Sequence, residues 1–289
     1  MAKFIQYMTQ DSLYDGPFDD VAGWPAAGMG YVVLTEGGSL LVIDGGQPND
    51  SESFFELLKS LSGKDHPVVD TWIITHPHLD HYGAILEMSQ DDVLKNSISV
   101  NKIFYRYPED FCNKKGTVQN YSGQDREMKQ IAQLFGAECV TPNRGDVISV
   151  DEITVEFLYV PDDCSIINTS NGSANHLSLI FTVSGKEKKV MITGDAYRRT
   201  LQTTAWRYAD KLKCDILQMP HHALCDSSCE DFYNYVDPEI LLFPISSAGY
   251  RAMHSKHYTR LEACKINLCL EASAKKSYMA FEGNCEITI

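Results

Sequence analysis

The segment from residue 73 to residue 83 constrains the fold most strongly, because four metal-binding side chains fall within six positions directly after an apolar run. The apolar run, residues 68–74, is rich in β-branched and aromatic residues and predicts a short buried strand. His76 and His78 then leave the end of that strand. Pro77 fixes its own φ and favours extended geometry at His76, so both imidazoles can point toward one cation.

Asp80 and His81 predict the other half of the same site. Asp80 precedes apolar residues at helical spacing, where a helix cap is expected, and the free amides of a first turn stabilise a carboxylate there. His81 then falls in the first turn. Because imidazole and carboxylate together suit zinc, iron or manganese, the cluster predicts a metal centre rather than isolated histidines and a plain cap.

Length and composition predict one large domain over residues 1–289, with two sheet-containing halves of roughly 1–160 and 161–289. Of the 289 residues, 44% are apolar, which is enough to bury a full core. The start of the chain lacks the apolar block of a signal peptide, and no apolar run approaches a membrane span. We therefore expect a cytoplasmic protein without membrane contact.

Charge and cysteine content limit the partners and the redox state. The formal charge of -14 repels polyanions, which disfavours long duplex nucleic acid, although bound metals would make a pocket locally positive. The nine cysteines are odd in number and contain no C-x-x-C pair, so we expect reduced thiols rather than a disulfide framework.

Further strand ends carry the same types of residue. Apolar and amphipathic periodicity predicts strands over 31–35, 40–44, 102–107, 146–150, 153–160, 179–183, 190–192, 215–219 and 240–243, and helices over 51–61, 126–135, 199–211 and 259–265. Four of the predicted strands end at Asp44, His76, Asp195 and His222. In helix-covered sheets the strand ends meet at one edge, which predicts a single site assembled from five segments. There Asp44 would orient a ligand or a bound water, and the polar stretch 108–124 would be either a lid or a plain surface loop.

The order of these motifs resembles the metallo-β-lactamase superfamily over nearly the whole chain. The resemblance is carried by residues 42–46 (VIDGG), 76–81 (HPHLDH), 175–179 (NHLSL), 192–195 (ITGD) and 219–222 (MPHH). Their combination is most similar to the hydrolase domain of bacterial DNA-uptake channel proteins and to related phosphodiesterases, including choline-phosphate esterases. The resemblance implies an α/β fold, an αββα four-layer sandwich, with two divalent metal ions between the sheets. Zinc is the first expectation, with manganese or iron as alternatives.

The resemblance also implies a role for each site residue. The expected ligands are His76 and His78 for the first metal, Asp80 and His81 for the second, Asp195 as the bridge and His222 as the last ligand. His221 is expected to face the substrate, with the reverse assignment of His221 and His222 left open.

Three positions leave alternatives open, the first two because they depart from the pattern of the superfamily. His176 lies in an N-x-x-S setting beside Asn175 instead of the usual Gly-His-x-x-Gly, so it either completes the first metal site or only flanks it. His254, with His257 at the start of a helix, either contacts a leaving group or phosphate or is simply solvated. Cys225 is either an additional soft ligand or an inert buried thiol.

The expected chemistry is hydrolysis of a small phosphate-containing substrate, a diester ahead of a monoester. A hydroxide shared by two cations would attack, positioned by Asp80 and Asp195, while His221 donates a hydrogen bond or proton. The same nucleophile would also cleave a thioester, a lactone or another carbonyl compound. An iron-dependent oxygenase or redox protein is a further alternative, and a non-catalytic binding module is the last. Neither the native metal nor the oligomeric state follows from the sequence.

Overall fold

The chain forms two mixed β-sheets that pack face to face. The structure, a computed structural model, describes residues 1–16, 27–107, 123–162, 173–255 and 262–289, except for the side chains of residues 225, 262 and 263. The strands of the first sheet are β1 (Lys3–Gln6), β2 (Gly30–Leu34), β3 (Leu40–Asp44), β4 (Val68–Ile73), β5 (Ser99–Phe104), β6 (Glu138–Val140) and β14 (Cys285–Thr288). Their spatial order is β14-β1-β2-β3-β4-β5-β6.

The second sheet repeats this arrangement. Its strands are β7 (Val147–Val150), β8 (Ile153–Tyr159), β9 (Ile180–Ser184), β10 (Lys189–Ile192), β11 (Ile216–Gln218), β12 (Ile240–Phe243) and β13 (Lys276–Met279). They follow one another in space as β13-β12-β11-β10-β9-β8-β7. In each sheet four strands are joined by parallel pairings, β3 to β6 and β10 to β13, because helical crossovers connect most of them.

Helices cover the outer face of each sheet. The described helices are α1 (Ser51–Ser62), α2 (Leu79–Gln90), α3 (Asp92–Ser97), α4 (Gln124–Phe135), α5 (Arg198–Tyr208), α6 (Glu230–Val236), α7 (Ser247–Met253) and α8 (Glu262–Ser273). Buried side chains form three layers. One layer fills the space between the sheets and includes Ile43, Phe157 and Phe181. The other two lie beneath the helices, around Phe54 and Trp72 on one side and Phe232 on the other. The expected αββα sandwich is therefore confirmed.

Most predicted elements lie where the periodicity placed them. The hairpin of β2 and β3 is antiparallel, and β3, α1 and β4 form the expected parallel crossover. Gly63 ends α1 in the left-handed conformation that a helix terminus favours. Strand β5 begins three residues before the predicted 102–107, and α8 runs to Ser273 instead of ending at residue 265. Most of the predicted lid or surface loop, 108–124, lies outside the described residues.

In the structure the boundary between the two sheet-containing halves lies between β6 and β7, and not near residue 160 as predicted. The chain leaves the first sheet after β6 and enters the second at β7, since the hairpin of β7 and β8 pairs with β9. The last strand, β14, returns to the first sheet and pairs with β1, and the amide of Ile289 donates to the carbonyl of Ala2 over 3.1 Å. Both ends of the chain therefore close the same sheet edge.

The cysteines depart from the expectation of reduced thiols at one position. Cys264 is disulfide-bonded, a pairing that spacing along the chain cannot reveal because it depends on how distant segments pack. The described free cysteines are Cys139, Cys214, Cys229, Cys269 and Cys285. Within the described ranges, no helix has both the length and the apolar character that crossing a bilayer requires.

Candidate metal centre

Asp44, at the end of β3, fixes the loop that follows the neighbouring strand β4. Its carboxylate is fully buried and accepts from the amide and the hydroxyl of Thr75, each over 2.8 Å. The same carboxylate pairs with Nδ1 of His81 at 2.8 Å. An imidazole that donates through Nδ1 keeps its Nε2 lone pair free, so Asp44 turns the coordinating nitrogen of His81 toward the site. The role of Asp44 in orienting a ligand stays a prediction, which this hydrogen bond to His81 supports.

Helix α2 begins within the histidine cluster, and its N-terminal cap lies two residues earlier than the sequence predicted. Its N-terminal cap is His78, in extended conformation, and not Asp80, which is the second residue of α2. The carbonyl of His78 accepts from the amides of His81 and Tyr82, so the helix begins at Leu79. The predicted cap is therefore wrong, but Asp80 remains at the positive end of the helix, where a carboxylate is stabilised.

Two groups of side chains offer convergent ligand atoms, and Asp195 belongs to both. The first half-site contains His76, His78 and Asp195, and the second half-site contains Asp80, His81, Asp195 and His222. Within each group the ligand atoms all lie within 4.8 Å of one another. Residues more than 140 positions apart thus meet beyond the ends of three strands, β4, β10 and β11.

The spacing of these atoms matches metal coordination. Nε2 of His222 is 3.2 Å from Oδ2 of Asp80 and 3.5 Å from Oδ2 of Asp195, and Nε2 of His81 is 3.3 Å from Oδ1 of Asp195. Nε2 of His76 is 3.6 Å from Oδ2 of Asp195. Four ligands around a tetrahedral zinc at about 2.0–2.1 Å are separated from one another by about 3.3 Å. The distances between these ligand atoms are therefore close to the distances between ligands that share one metal ion.

The same atoms lack other partners. Among the described residues, the Nε2 atoms of His76, His81 and His222 and Oδ1 of Asp195 are buried and make no hydrogen bond of acceptable geometry. Leaving so many polar atoms buried without partners in one place is costly. Divalent cations would satisfy all of them, so the residues fit a pair of ions that prefer nitrogen and oxygen ligands.

Burial and the neighbouring carboxylates shift the pKa values of His81 and His222 in opposite directions. Burial lowers the pKa of His222, but the carboxylates of Asp195 and Asp80 outweigh it and raise that pKa to about 10. His81 follows the same pattern: burial lowers its pKa, while Asp195, Asp44 and Asp80 raise it well above the usual value.

The neighbouring imidazoles keep the carboxylates charged. Burial raises the pKa of Asp195 and of Asp80, but His81 and other histidines lower both to well below the usual range. Burial, together with the charge of His81, lowers the pKa of His76. The site is therefore a buried cluster whose carboxylates favour cations, and metal ions would compete with protons for His81 and His222.

The end of β10 reaches the loop after β4 through very close contact. Gly194 has φ +51°, and a Cβ there would lie 2.9 Å from Cβ of Thr75. The next residue, Asp195, donates its amide to Oγ of Ser178 over 3.1 Å, and Thr193 donates its amide to the side chain of Gln218. Thr75 and Gln218 were missed as supporting residues, since nothing in their local sequence marks them, whereas Ser178 is the serine of the N-x-x-S motif.

His221 and His222 take different positions at the site. His222 belongs to the second half-site, and its Nδ1 donates to the carbonyl of Pro244 over 2.7 Å, which leaves Nε2 for the site. His221 lies beside both half-sites, with its Nε2 3.8 Å from Oδ2 of Asp195. Nδ1 of His221 pairs with Asp226 at 2.7 Å, a partner that sequence reasoning missed.

His176 lies outside both half-sites. The short 3-10 helix Ala174–Leu177 buries Asn175, whose Nδ2 donates to Nε2 of His221 over 3.0 Å. The ring of His176 instead meets Tyr197, with 4.9 Å between ring centroids. Successive residues of a tight helical turn point in different directions, so the geometry supports the flanking position of His176 and not the ligand role.

The late histidine pair has a different setting from the one predicted. His254 ends α7 rather than beginning a helix, and its ring contacts the carbonyl of Tyr250 at 3.0 Å and the carboxylate of Glu271 at 3.1 Å. His257 and the side chain of Cys225 lie outside the described residues. A contact between His254 and substrate stays a prediction.

An αββα sandwich with buried histidines and aspartates converging between its sheets defines a class of metal-binding folds. The sequence profile of the metallo-beta-lactamase superfamily matches residues 25–240, so the chain belongs to this superfamily. ComE operon protein 3 of Bacillus subtilis (strain 168) is 23% identical over 208 residues, which are 71% of this chain and 23% of that protein. The chain thus spans about a quarter of the length of this curated relative.

Solved structures share the fold at low sequence identity. Zn(2+)-bound PqqB from Methylobacterium extorquens has a TM-score of 0.59 at 10% identity, with 100% of both chains covered. Unliganded yeast PDE1 has a TM-score of 0.54 at 13% identity, again over 100% of both chains. The diiron β-hydroxylase CmlA from Streptomyces venezuelae has a TM-score of 0.53 at 10% identity and covers 99% of this chain and 54% of its own. Proteins with zinc and with diiron centres therefore share this architecture.

Proposed function

We propose that this protein is a metal-dependent hydrolase of phosphoesters, with small phosphodiesters as the preferred substrates. The observation that carries the proposal is the pair of half-sites that share Asp195 and hold buried imidazole nitrogens without hydrogen bonds. A ligand set that joins two cations through one carboxylate is the arrangement of two-metal hydrolytic sites.

The residues of the chain divide the work of such a reaction. His76 and His78 would hold one cation, and Asp80, His81 and His222 the other, with Asp195 shared between them. Bound divalent cations supply Lewis acidity and lower the pKa of water to about 7. The ionised carboxylates of Asp80 and Asp195 would then orient the attacking water by accepting its hydrogen bonds.

The flank beside Asp195 supports phosphorus as the reacting centre. The amide of Asn175 and the imidazole of His221 lie there, and Asp226 holds the ring of His221 through Nδ1, so that its Nε2 faces Asp195. A phosphoryl group carries charge on several oxygens during transfer and is stabilised by such preorganised donors. As an imidazolium, His221 would donate a hydrogen bond or a proton from Nε2 to a phosphoryl or leaving oxygen, in place of its contact with Asn175.

A substrate panel tests the proposal. The metal-free protein is reconstituted with zinc, manganese or iron, its metal content is measured, and each form is assayed with bis(4-nitrophenyl) phosphate, 4-nitrophenyl phosphate, an acyl thioester and a lactone. We expect two metals per chain and fastest turnover of the diester. Asp195→Asn should lose both metal content and turnover, whereas Asp146→Asn, at the half-buried turn before β7, should lose neither.

Two results would redirect the assignment. Turnover of the thioester or lactone without turnover of either phosphate ester would move the protein to the carbonyl hydrolases. Tightly held iron without hydrolysis of any ester would move it to the oxygenases or redox proteins.

A further inference from the structure

The turn that carries His222 has a backbone conformation that its residues disfavour. His221, His222 and Ala223 have φ values of +47°, +52° and +62°. This left-handed region is rare for residues that have a Cβ, and three in succession do not form without outside support. The conformation matters because it directs His221 and His222 to different sides of the site.

The described contacts to this turn come from several elements. The amide of His221 donates to the carbonyl of Gly194 over 3.1 Å, and Nδ1 of His222 donates to the carbonyl of Pro244 over 2.7 Å. The carbonyl of Ala223 accepts from Nδ2 of Asn267 over 2.8 Å. Asn267 lies on α8 and is fully buried.

The orientation of the Asn267 amide follows from its partners. A backbone carbonyl can only accept, so the NH2 group must face Ala223. Oδ1 consequently faces the hydroxyls of Ser228 and Tyr233, which donate to it over 2.8 and 3.0 Å. Two donors on one side and one acceptor on the other leave the amide a single satisfied orientation. Asn267 is therefore a rigid anchor and not a rotating surface group.

We propose that Asn267 is a positioning residue that holds the His222 turn in its strained conformation, so that Nε2 of His222 faces the second half-site before any metal binds. Pro244 and Asn267 both follow residue 240, where the superfamily profile match ends. The C-terminal part of the chain thus supplies the support for a ligand on the preceding part. The inference rests on the metal site of the proposed function.

Asn267→Asp separates positioning from simple stabilisation. An aspartate can still accept from Ser228 and Tyr233, but when ionised it has no donor for the carbonyl of Ala223. Ser228→Ala is the matched control, because it removes one hydrogen bond from the same network and leaves the link to Ala223 intact. Each protein is stripped of metal, and zinc affinities are measured by competition with a chromogenic chelator, with metal content checked by mass spectrometry.

We expect Asn267→Asp to bind one zinc about as tightly as the parent and the other about 10- to 100-fold more weakly. Losses of this size are typical when a group that supports a metal ligand is changed. Ser228→Ala should bind two zinc ions with the affinities of the parent, even if its unfolding midpoint falls. A folded Asn267→Asp protein with both parental affinities would overturn the inference. A parent that binds fewer than two zinc ions would overturn the proposed metal site as well.

Hydrogen exchange in the unaltered, metal-free protein gives a second measurement that does not require the variant to fold. If the turn is held in place without metal, the amides of His221 and Leu224, which bond to Gly194 and His221, should exchange slowly. Fast exchange at both amides in a protein whose core strands remain protected would show that the turn forms only with metal, contrary to the inference.

Discussion

Replacing Gly194 with alanine should destabilise the contact between the two loops that bring Asp195 to the histidine cluster. The added Cβ would lie 2.9 Å from Cβ and 3.0 Å from Oγ1 of Thr75, and 3.3 Å from Cβ of Ser178. Ordinary contact begins at about 3.5 Å, so the loops must separate by about 0.6 Å. Thr75 cannot move alone, because its hydroxyl and amide are both bonded to Asp44.

Gly63→Ala provides the matched control for the backbone cost. Gly63 has φ +64°, close to the +51° of Gly194, but a Cβ there would meet nothing within 4 Å. Both alanines should lose about 1–2 kcal/mol through the left-handed conformation. Overpacking at Gly194 should add about 1–3 kcal/mol.

Urea unfolding of the metal-free variants measures the difference. We expect the free energy of unfolding of Gly194→Ala to lie about 1–3 kcal/mol below that of Gly63→Ala, with equal denaturant slopes. Equal free energies for the two variants would refute the reasoning, since they would mean that the loops separate without cost.

Three further predictions concern charge and protonation at the site. Asp44→Asn should weaken zinc binding about 10- to 100-fold, because the imidazole of His81 is then held less firmly. Competition with a chelator measures the zinc affinity, and an unchanged affinity would contradict the orienting role of Asp44. In the metal-free protein, His222 should stabilise the fold fully below its unfolded pKa of 6.5, and this stability should disappear as pH rises through about 10, because Asp195 outweighs burial in the folded state. Urea unfolding should therefore show that the free energy of unfolding of the parent falls between pH 6 and 10, and that it falls less in His222→Gln. The same pH dependence in both proteins would refute the raised pKa of His222. Asp226→Asn should leave metal content unchanged and lower kcat for the diester by on the order of 10-fold with little effect on KM, because His221 loses its fixed orientation; a change in KM alone would indicate a binding role.

The sequence predicted correctly those parts of the fold that depend on residues close together along the chain. The periodicity of α1 and the apolar runs of β3 and β4 are set within a few residues, and so is the cluster from His76 to His81, because its members are close along the chain. The predicted capping role of Asp80 was wrong because His78, in extended conformation, caps the helix two residues earlier than the apolar spacing alone suggests.

Other features depend on contacts between distant segments. The direction of His176 depends on a short 3-10 helix that delivers Asn175 to the site instead. Asp226 and Asn267 follow no periodic pattern and gain their roles only when the His222 turn is folded against them. The disulfide of Cys264 and the return of β14 to the first sheet depend on the same long-range packing.

The pairing of β14 with β1 brings residue 289 beside residue 2, so a short linker could join these two strands directly. A few flexible residues between Ile289 and Met1 would make this link without breaking a strand, and the exposed turn at residues 63–66 could be opened to create new ends. In such a circular permutant the histidine cluster would be synthesised before Asp44. Its assembly would show whether the order of the segments along the chain matters once all of them are present.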